Sequence, residues 1–316
     1  MTPRFSFLLP AYKALFLHEA ITSILSQDYP NYELVIVNDA SPEDIDSIVQ
    51  SFSDNRIQYY KNERNLGGIN LIAQWQHCVD LSDSEYIIMA SDDDVYLPNY
   101  LSEMDRLAKR YPLADVFHCH ICRMDSIGQI TDISAPCKEW ESAIESFYYR
   151  NIAHRMQTLP EFMFRRTALE EAGGFVDFPL GYYSDDATVV RTGMKHGIVC
   201  SDKYLLYSRS SGLNISSNHN TLPQRLQACE DFLHWAERFV DTLTPQNKIE
   251  EVLLQHTKEL LWFRQQDMAH SIVRQMNNTQ LNTLLRQRNS WPFTLISVRN
   301  VLVQLLHHQF CCCKSN

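Results

Sequence analysis

The sequence predicts an α/β fold, a mostly parallel sheet flanked by helices, with an all-helical extension at the C-terminal end. Three observations predict it. Short apolar, β-branched runs alternate with segments of helical period from Phe5 to Met89. These runs are close to continuously apolar rather than alternating, the pattern of strands covered on both faces. Beyond Asn220 no convincing strand remains, and the apolar period is helical. The division that follows is a sheet domain over residues 1–220 and a helical region over 221–316. At about 150 residues per domain, 316 residues leave room for two.

The first run, Phe5-Ser-Phe-Leu-Leu, is stopped by Pro10 and suits a buried strand. Leu15 to Gln27 then carries Leu17, Ile21, Ile24 and Leu25 at helical spacing. Tyr32-Glu-Leu-Val-Ile-Val37 is a second strand, ending at Asn38 and Asp39. A helix from Pro42 to Phe52 follows, with Ser41 as its N-cap and Asp44 in the capping-box position. Ile57 to Tyr60 reads as strand, Asn70 to Val79 as helix and Tyr86 to Met89 as strand. In the C-terminal region Leu226, Cys229, Leu233, Ala236, Val240 and Leu243 share one helical face. Thr244-Pro245 then starts another helix, with Ile249, Leu253, His256, Leu260 and Phe263 as its stripe.

Composition narrows the function. With 28 basic and 38 acidic side chains the net charge is −10, which gives no electrostatic reason to hold a nucleic-acid backbone. Small anions remain accessible, because a metal ion can supply the missing positive charge. The nine cysteines are an odd number, and the opening residues show no long apolar run before a small-residue cleavage site. A reducing, cytosolic setting is the expectation. No run approaches the roughly 18 apolar residues of a membrane span. The late stretch Trp291 to Cys313 is amphipathic, suited to docking on the helices or to peripheral contact with a membrane surface.

Acidic groups at strand ends are the leading chemical features, since open α/β sheets bind ligands beyond the carboxyl ends of their strands. Asp39 directly follows Leu34-Val-Ile-Val37, where it stands either at the lip of a nucleotide pocket or as the cap of the next turn. Ser91-Asp92-Asp93-Asp94 follows the strand that ends at Met89. Three adjacent carboxylates repel one another, and a hard cation such as Mg²⁺ or Mn²⁺ relieves the conflict through oxygen ligands. A solvated acidic loop is the plainer reading.

Phe5-Ser-Phe-Leu-Leu-Pro-Ala-Tyr12, Val35-Ile-Val-Asn-Asp-Ala-Ser41, Asn65-Leu-Gly-Gly68 and Ser91-Asp-Asp-Asp94 before Leu97-Pro98 occur in an order that resembles the family 2 glycosyltransferases. The resemblance covers about residues 4–215 and implies a Rossmann-like sheet of GT-A type. It implies a nucleotide-sugar donor, with uridine as the expected base, held by Pro10, Ala11, Tyr12, Asp39, Asn65, Gly67, Asp92 and Asp93. Asp94, with Asp92, is the implied ligand of Mn²⁺ or Mg²⁺. Ser91 replaces the usual leading acid, and Asp92 is placed to take over its part. Gly173-Gly-Phe-Val-Asp177, followed by Gly181-Tyr-Tyr-Ser-Asp-Asp-Ala187, resembles the family's second acidic motif, and Arg191 falls at the family's distance from it. Asp185 is thereby assigned as general base and Asp186 as its neighbour, an order that can be exchanged.

The reaction implied is inverting transfer to a saccharide or lipid-linked acceptor in surface polysaccharide or glycoconjugate synthesis. Its rivals are a catalytically idle nucleotide-sugar binder and a two-carboxylate glycoside hydrolase. Weaker features are absorbed by structure. His118-Cys-His-Ile-Cys122 invites a zinc reading, but no second pair stands at finger-like spacing, and a strand would turn Cys119 and Cys122 to opposite faces. Gly67-Gly68 alone reads as a turn, and no Gly-x-Gly-x-x-Gly follows the first strand. Tyr148, Tyr149, Tyr182 and Tyr183 fit either an aromatic acceptor platform or ordinary packing.

Overall fold

The computed structural model describes residues 2–212, 214 and 218–286. The amphipathic stretch from Trp291 to Cys313 lies outside the described residues. Two compact units make up the chain: Met1–Asp177 with Ser184–Gly212, and Phe178–Tyr183 with Leu213–Asn316.

The first unit begins with β1 (Phe5–Ala11), α1 (Leu17–Leu25), β2 (Tyr32–Asn38), α2 (Ile45–Gln50), β3 (Ile57–Lys61), α3 (Leu71–Asp80) and β4 (Tyr86–Met89). It continues through β5 (Val95–Tyr96), α4 (Tyr100–Arg110), β6 (Val116–Asp125), β7 (Ile130–Ile133), β8 (Trp140–Glu141) and α5 (Ala143–Asn151). After these come β9 (Met163–Arg165), α6 (Arg166–Glu171), α7 (Ser184–Thr192) and β10 (Ile198–Ser210). The strands form one sheet in the order β3-β2-β1-β4-β9-β6-β10-β5, with β7 on β6 and β8 on β10. The β3-β2-β1-β4 portion is parallel, as is the long β6–β10 pair, while β9 and β5 run antiparallel to their neighbours.

Alternation along β1 explains its near-continuous apolar sequence. Phe5, Phe7 and Leu9 join Ile21, Ile24, Leu101 and Met104 in one core, and Leu8 joins Ile72, Val79 and Ile87 in the other. Helices therefore cover both faces, and each inward side chain is worth roughly 1.5–3 kcal/mol of burial.

Local signals shifted two helix starts. The helix expected from Pro42 begins at Ile45, capped by Asp44, whose carboxylate accepts from Ser47 N at 3.0 Å. Ser41 lies three residues before that cap, and its hydroxyl, which donates to the Tyr12 carbonyl at 2.5 Å and accepts from Glu43 N at 3.0 Å, holds the turn ahead of the helix. In the second unit, Asn247 rather than Thr244-Pro245 caps the later helix, accepting from Ile249 N and Glu250 N at 3.0 Å.

That second unit holds α8 (Leu222–Thr242), α9 (Lys248–Gln275) and α10 (Asn278–Arg286). On α8 the expected face is buried, including Leu226, Cys229, Leu233, Ala236 and Val240. On α9 it is not. Ile249 is 60% and Phe263 57% exposed, whereas Leu254, Leu261, Ala269, Ile272 and Val273 are buried with the polar Glu250, Thr257 and Gln265. A buried stripe that mixes polar and apolar residues defeats a frame chosen by hydrophobicity alone. Tyr183 stacks on Phe232 at 4.6 Å, and Tyr182 accepts a hydrogen bond from Arg225 at 3.0 Å, so both tyrosines take part in packing within this unit.

Candidate active site

Parallel pairing of β2, β1 and β4 sets their carboxyl ends side by side. Ala11 is the register partner of Asn38, and Ala90 N donates to the Leu8 carbonyl at 2.8 Å. Pro10 and Ala11 end β1, Tyr12 emerges 40% exposed, and Asp39 N donates to the Ala11 carbonyl at 3.0 Å.

Asp39 is buried, and its charge is met by the 62–67 loop. Oδ1 accepts from Asn62 Nδ2 and Leu66 N, both at 2.7 Å, and Oδ2 accepts from Gly67 N at 2.8 Å. A Cβ at residue 67 would lie 2.9 Å from Asp39 Oδ2, so glycine is what admits this approach. Asn65 Oδ1 accepts from Gly68 N at 2.5 Å and closes the turn. The Asn65–Gly68 run is thus the turn that its glycines suggest, built around Asp39.

The acidic run lies just beyond β4. Asp92 Oδ2 accepts from Tyr12 N at 3.0 Å and Lys13 N at 2.8 Å, with Lys13 Nζ 3.9 Å from Oδ1. Asp93 Oδ1 accepts from Ser91 Oγ at 2.9 Å. Asp94 Oδ1 accepts from Arg209 N at 2.7 Å, while Arg209 Nε donates to the Asp93 carbonyl at 3.0 Å. The Arg209 guanidinium lies 4.2 Å over the Phe16 ring and pairs with Glu19 at 2.6 Å.

All three carboxylates are buried. Burial raises the pKa of Asp92, against the pull of Lys13. Burial first, and the Asp93 charge second, push Asp94 up to about 7. An all-oxygen donor set whose charge the protein leaves partly uncompensated fits a hard divalent cation.

The second acidic motif is set by a Schellman turn at the end of α6. Gly174 N donates to the Leu169 carbonyl and Gly173 N to the Glu170 carbonyl, both at 2.9 Å, with φ of +76° and +88° that only glycine adopts without strain. Arg191 donates to the Gly174 carbonyl and so braces this turn. Asp185 and Asp186 lie in the first turn of α7, where the helix dipole favours negative charge.

Their surroundings differ sharply. Asp186 is 2% exposed, and its Oδ1 accepts from Arg150 Nε at 2.6 Å and Gln157 Nε2 at 3.0 Å. Asp185 has no side-chain hydrogen-bond partner among the described residues. Desolvation and then the Asp186 charge push its pKa up to about 7, with Arg150 opposing.

Lys13, Asn62, Arg150, Gln157 and Arg209 complete these sites and were not singled out in the sequence. Arg209 follows the Asp92–Asp94 run by more than a hundred residues, and Arg150 precedes Asp186 by 36. Lys13, adjacent to the first motif, is the one that position alone could have suggested. Tyr148 and Tyr149 meet edge to face at 5.6 Å.

Known proteins are similar to this chain in sequence and in fold. The family described as "Glycosyl transferase family 2" matches residues 6–173, more than half of the chain. A putative colanic acid biosynthesis glycosyl transferase, WcaA of Escherichia coli, is 37% identical over 140 residues, 42% of this chain and 48% of that protein. A GalNAc(5)-diNAcBac-PP-undecaprenol beta-1,3-glucosyltransferase of Campylobacter jejuni is 30% identical over 105 residues, 32% of this chain and 33% of that protein. These matches span between a third and a half of the relatives' lengths.

Among solved structures, S. aureus TarS 1-349 in complex with UDP-GlcNAc superposes with a TM-score of 0.62 at 15% identity, over 89% of this chain and 83% of that one. The mannosyltransferase PcManGT of Pyrobaculum calidifontis, in complex with GDP-Man and Mn²⁺, gives 0.58 at 16% identity, over 96% and 81%. The fold is that of the GT-A glycosyltransferases, and the chain belongs to glycosyl transferase family 2.

Proposed function

We propose that this protein moves a sugar, with inversion, from a nucleoside-diphosphate donor to a saccharide or lipid-linked acceptor in polysaccharide or glycoconjugate synthesis. The observation that carries the reading is the unequal pair on α7: Asp186 is tied to Arg150 and Gln157, while Asp185 has no side-chain partner and a pKa near the working range of a base. Asp185 accordingly takes the acceptor's proton, and Asp186 with Arg150 holds it in position.

Asp39 shapes the pocket for the base. Oδ1 is filled by the bonds from Asn62 and Leu66, whereas Oδ2, which accepts only from Gly67 N, keeps a lone pair for a base N–H. Pro10, Ala11, Tyr12, Asn65 and Gly67 form the walls beside it. We read the nucleotide as uridine, the base of the UDP-GlcNAc in the TarS complex, with guanosine, the base of the GDP-Man in the PcManGT complex, as the rival that the nucleotide-sugar panel separates. Asp94 is the leading ligand for Mn²⁺ or Mg²⁺, with Asp92 offering Oδ1 and Asp93 adjoining. When bound, such an ion neutralises the diphosphate and stabilises it as a leaving group. An undecaprenol-linked acceptor is named for the Campylobacter relative, which makes a lipid-linked saccharide a natural candidate here.

The test is a panel of nucleotide sugars with Mn²⁺, read by nucleoside diphosphate release with and without acceptors. Acceptor-dependent release that disappears in Asp185→Asn and Asp94→Asn supports the reading. Binding without turnover indicates an idle module, and saccharide cleavage without a nucleotide indicates a hydrolase; either result overturns it.

A further inference from the structure

A second cluster of metal-ligating side chains stands apart from the acidic run. Cys119 and Cys122 lie within β6 and take no part in it. Instead His118 on β6, Cys200 on β10 and Cys137 in the segment between β7 and β8 converge, their ligand atoms all within 4.8 Å of one another. His118 and Cys200 are direct register partners across the parallel β6–β10 pair, so their side chains leave the same face one strand spacing apart, about 4.8 Å. Tetrahedral zinc, with bonds of about 2.0–2.3 Å, sets its ligands roughly 3.5–3.8 Å apart. Small rotamer changes reach that geometry.

The histidine supplies an independent sign. It is 4% exposed, its Nδ1 hydrogen-bonds with Glu161 Oε1 at 3.1 Å, and its buried Nε2 has no well-formed hydrogen bond, the Cys137 thiol being the other group with which the ring interacts. Glu161 is itself held, with Oε2 accepting from Thr158 N at 3.0 Å. A carboxylate on one ring nitrogen fixes the tautomer and presents the other nitrogen as a lone pair, the arrangement found behind metal-bound histidines. Burying an imidazole nitrogen with no partner is costly unless something fills the place.

We propose that His118, Cys137 and Cys200 bind one zinc ion, separate from the acidic centre. One imidazole and two thiolates select zinc over Mn²⁺ or Mg²⁺, and two thiolates neutralise its charge in a buried setting. Each thiol gives up its proton on binding. Cys137 lines a cavity of about 580 Å³ with Tyr149 and Arg155, and Cys200 shares a second cavity with Cys137, which provides entry and room for water as the fourth ligand. The ion clips the 134–139 segment onto the two strands.

The test uses the full chain, reduced, stripped of metal and titrated with Co²⁺ and then Zn²⁺. One equivalent of Co²⁺ should give a thiolate-to-cobalt charge-transfer band that one equivalent of Zn²⁺ removes. The band should vanish in Cys137→Ser and Cys200→Ser, with far-UV circular dichroism checking that both fold. It should persist in Asp94→Asn and when Cys311, Cys312 and Cys313 are all replaced by Ser. Glu161→Gln should weaken zinc binding about 10–100-fold. Absence of the band, its survival in Cys137→Ser, or its loss on replacing the three C-terminal cysteines overturns the proposal. So does thiol counting that finds Cys137 and Cys200 joined as a disulfide in protein purified with zinc.

Discussion

Asp185 and Asp186 are neighbours in sequence with opposite surroundings, and their variants should fail differently. Asp185→Asn should abolish transfer while leaving nucleotide affinity within about twofold, since it removes the base and not a donor contact. With a folded pKa near 7, the basic form of Asp185 prevails above that value. Log kcat/KM should therefore rise with unit slope up to about pH 7 and then level, a profile measurable by nucleotide release. Asp186→Asn leaves the Arg150 guanidinium without its buried counter-charge and should cost about 3 kcal/mol in urea unfolding. Asp39→Ala frees the 62–67 loop from three hydrogen bonds and should weaken nucleotide binding roughly 10–100-fold by calorimetry at little change in kcat. The strand-end acids were legible because an Asp after an apolar run is a local pattern. Their partners were not: Arg209 and Arg150 belong to distant elements, and nothing in their own neighbourhoods marks them.

At the level of elements, the parallel strands could be read from composition because burial on both faces leaves few polar positions. Helix frames were harder. In α9 the buried face mixes Glu250, Thr257 and Gln265 with Leu254 and Leu261, so hydrophobicity alone selects the other stripe, which includes Ile249 and Phe263. Paired substitutions separate the two frames. Leu261→Ala should lose about 2–5 kcal/mol, and Phe263→Ala less than about 0.5 kcal/mol, by denaturant unfolding of the full chain. Helix starts are hidden for a related reason: Ser41 accepts from Glu43 N as a cap would, but the backbone turns helical only after Asp44, whose carboxylate takes the Ser47 N–H.

Over the whole molecule, a net charge of −10 opposes the approach of any diphosphate, and the buried carboxylates of Asp92–Asp94 sharpen that opposition at the proposed donor site. Nucleoside diphosphate binding should accordingly be lost in EDTA and return on adding Mn²⁺, as followed by calorimetry. Among the described residues no helix is long and apolar enough to cross a membrane, so a lipid-linked acceptor would have to be met without a helical span from this part of the chain. The bonds from Tyr12 N and Lys13 N to Asp92 carry a final consequence. They tie the loop beside the proposed nucleotide pocket to the proposed cation site, so neither can be rearranged without disturbing the other. Any help that a bound cation gives the nucleotide must be returned in equal measure, with the nucleotide raising cation affinity by the same factor. Cutting the tie by Asp92→Ala should bring that mutual factor closer to one.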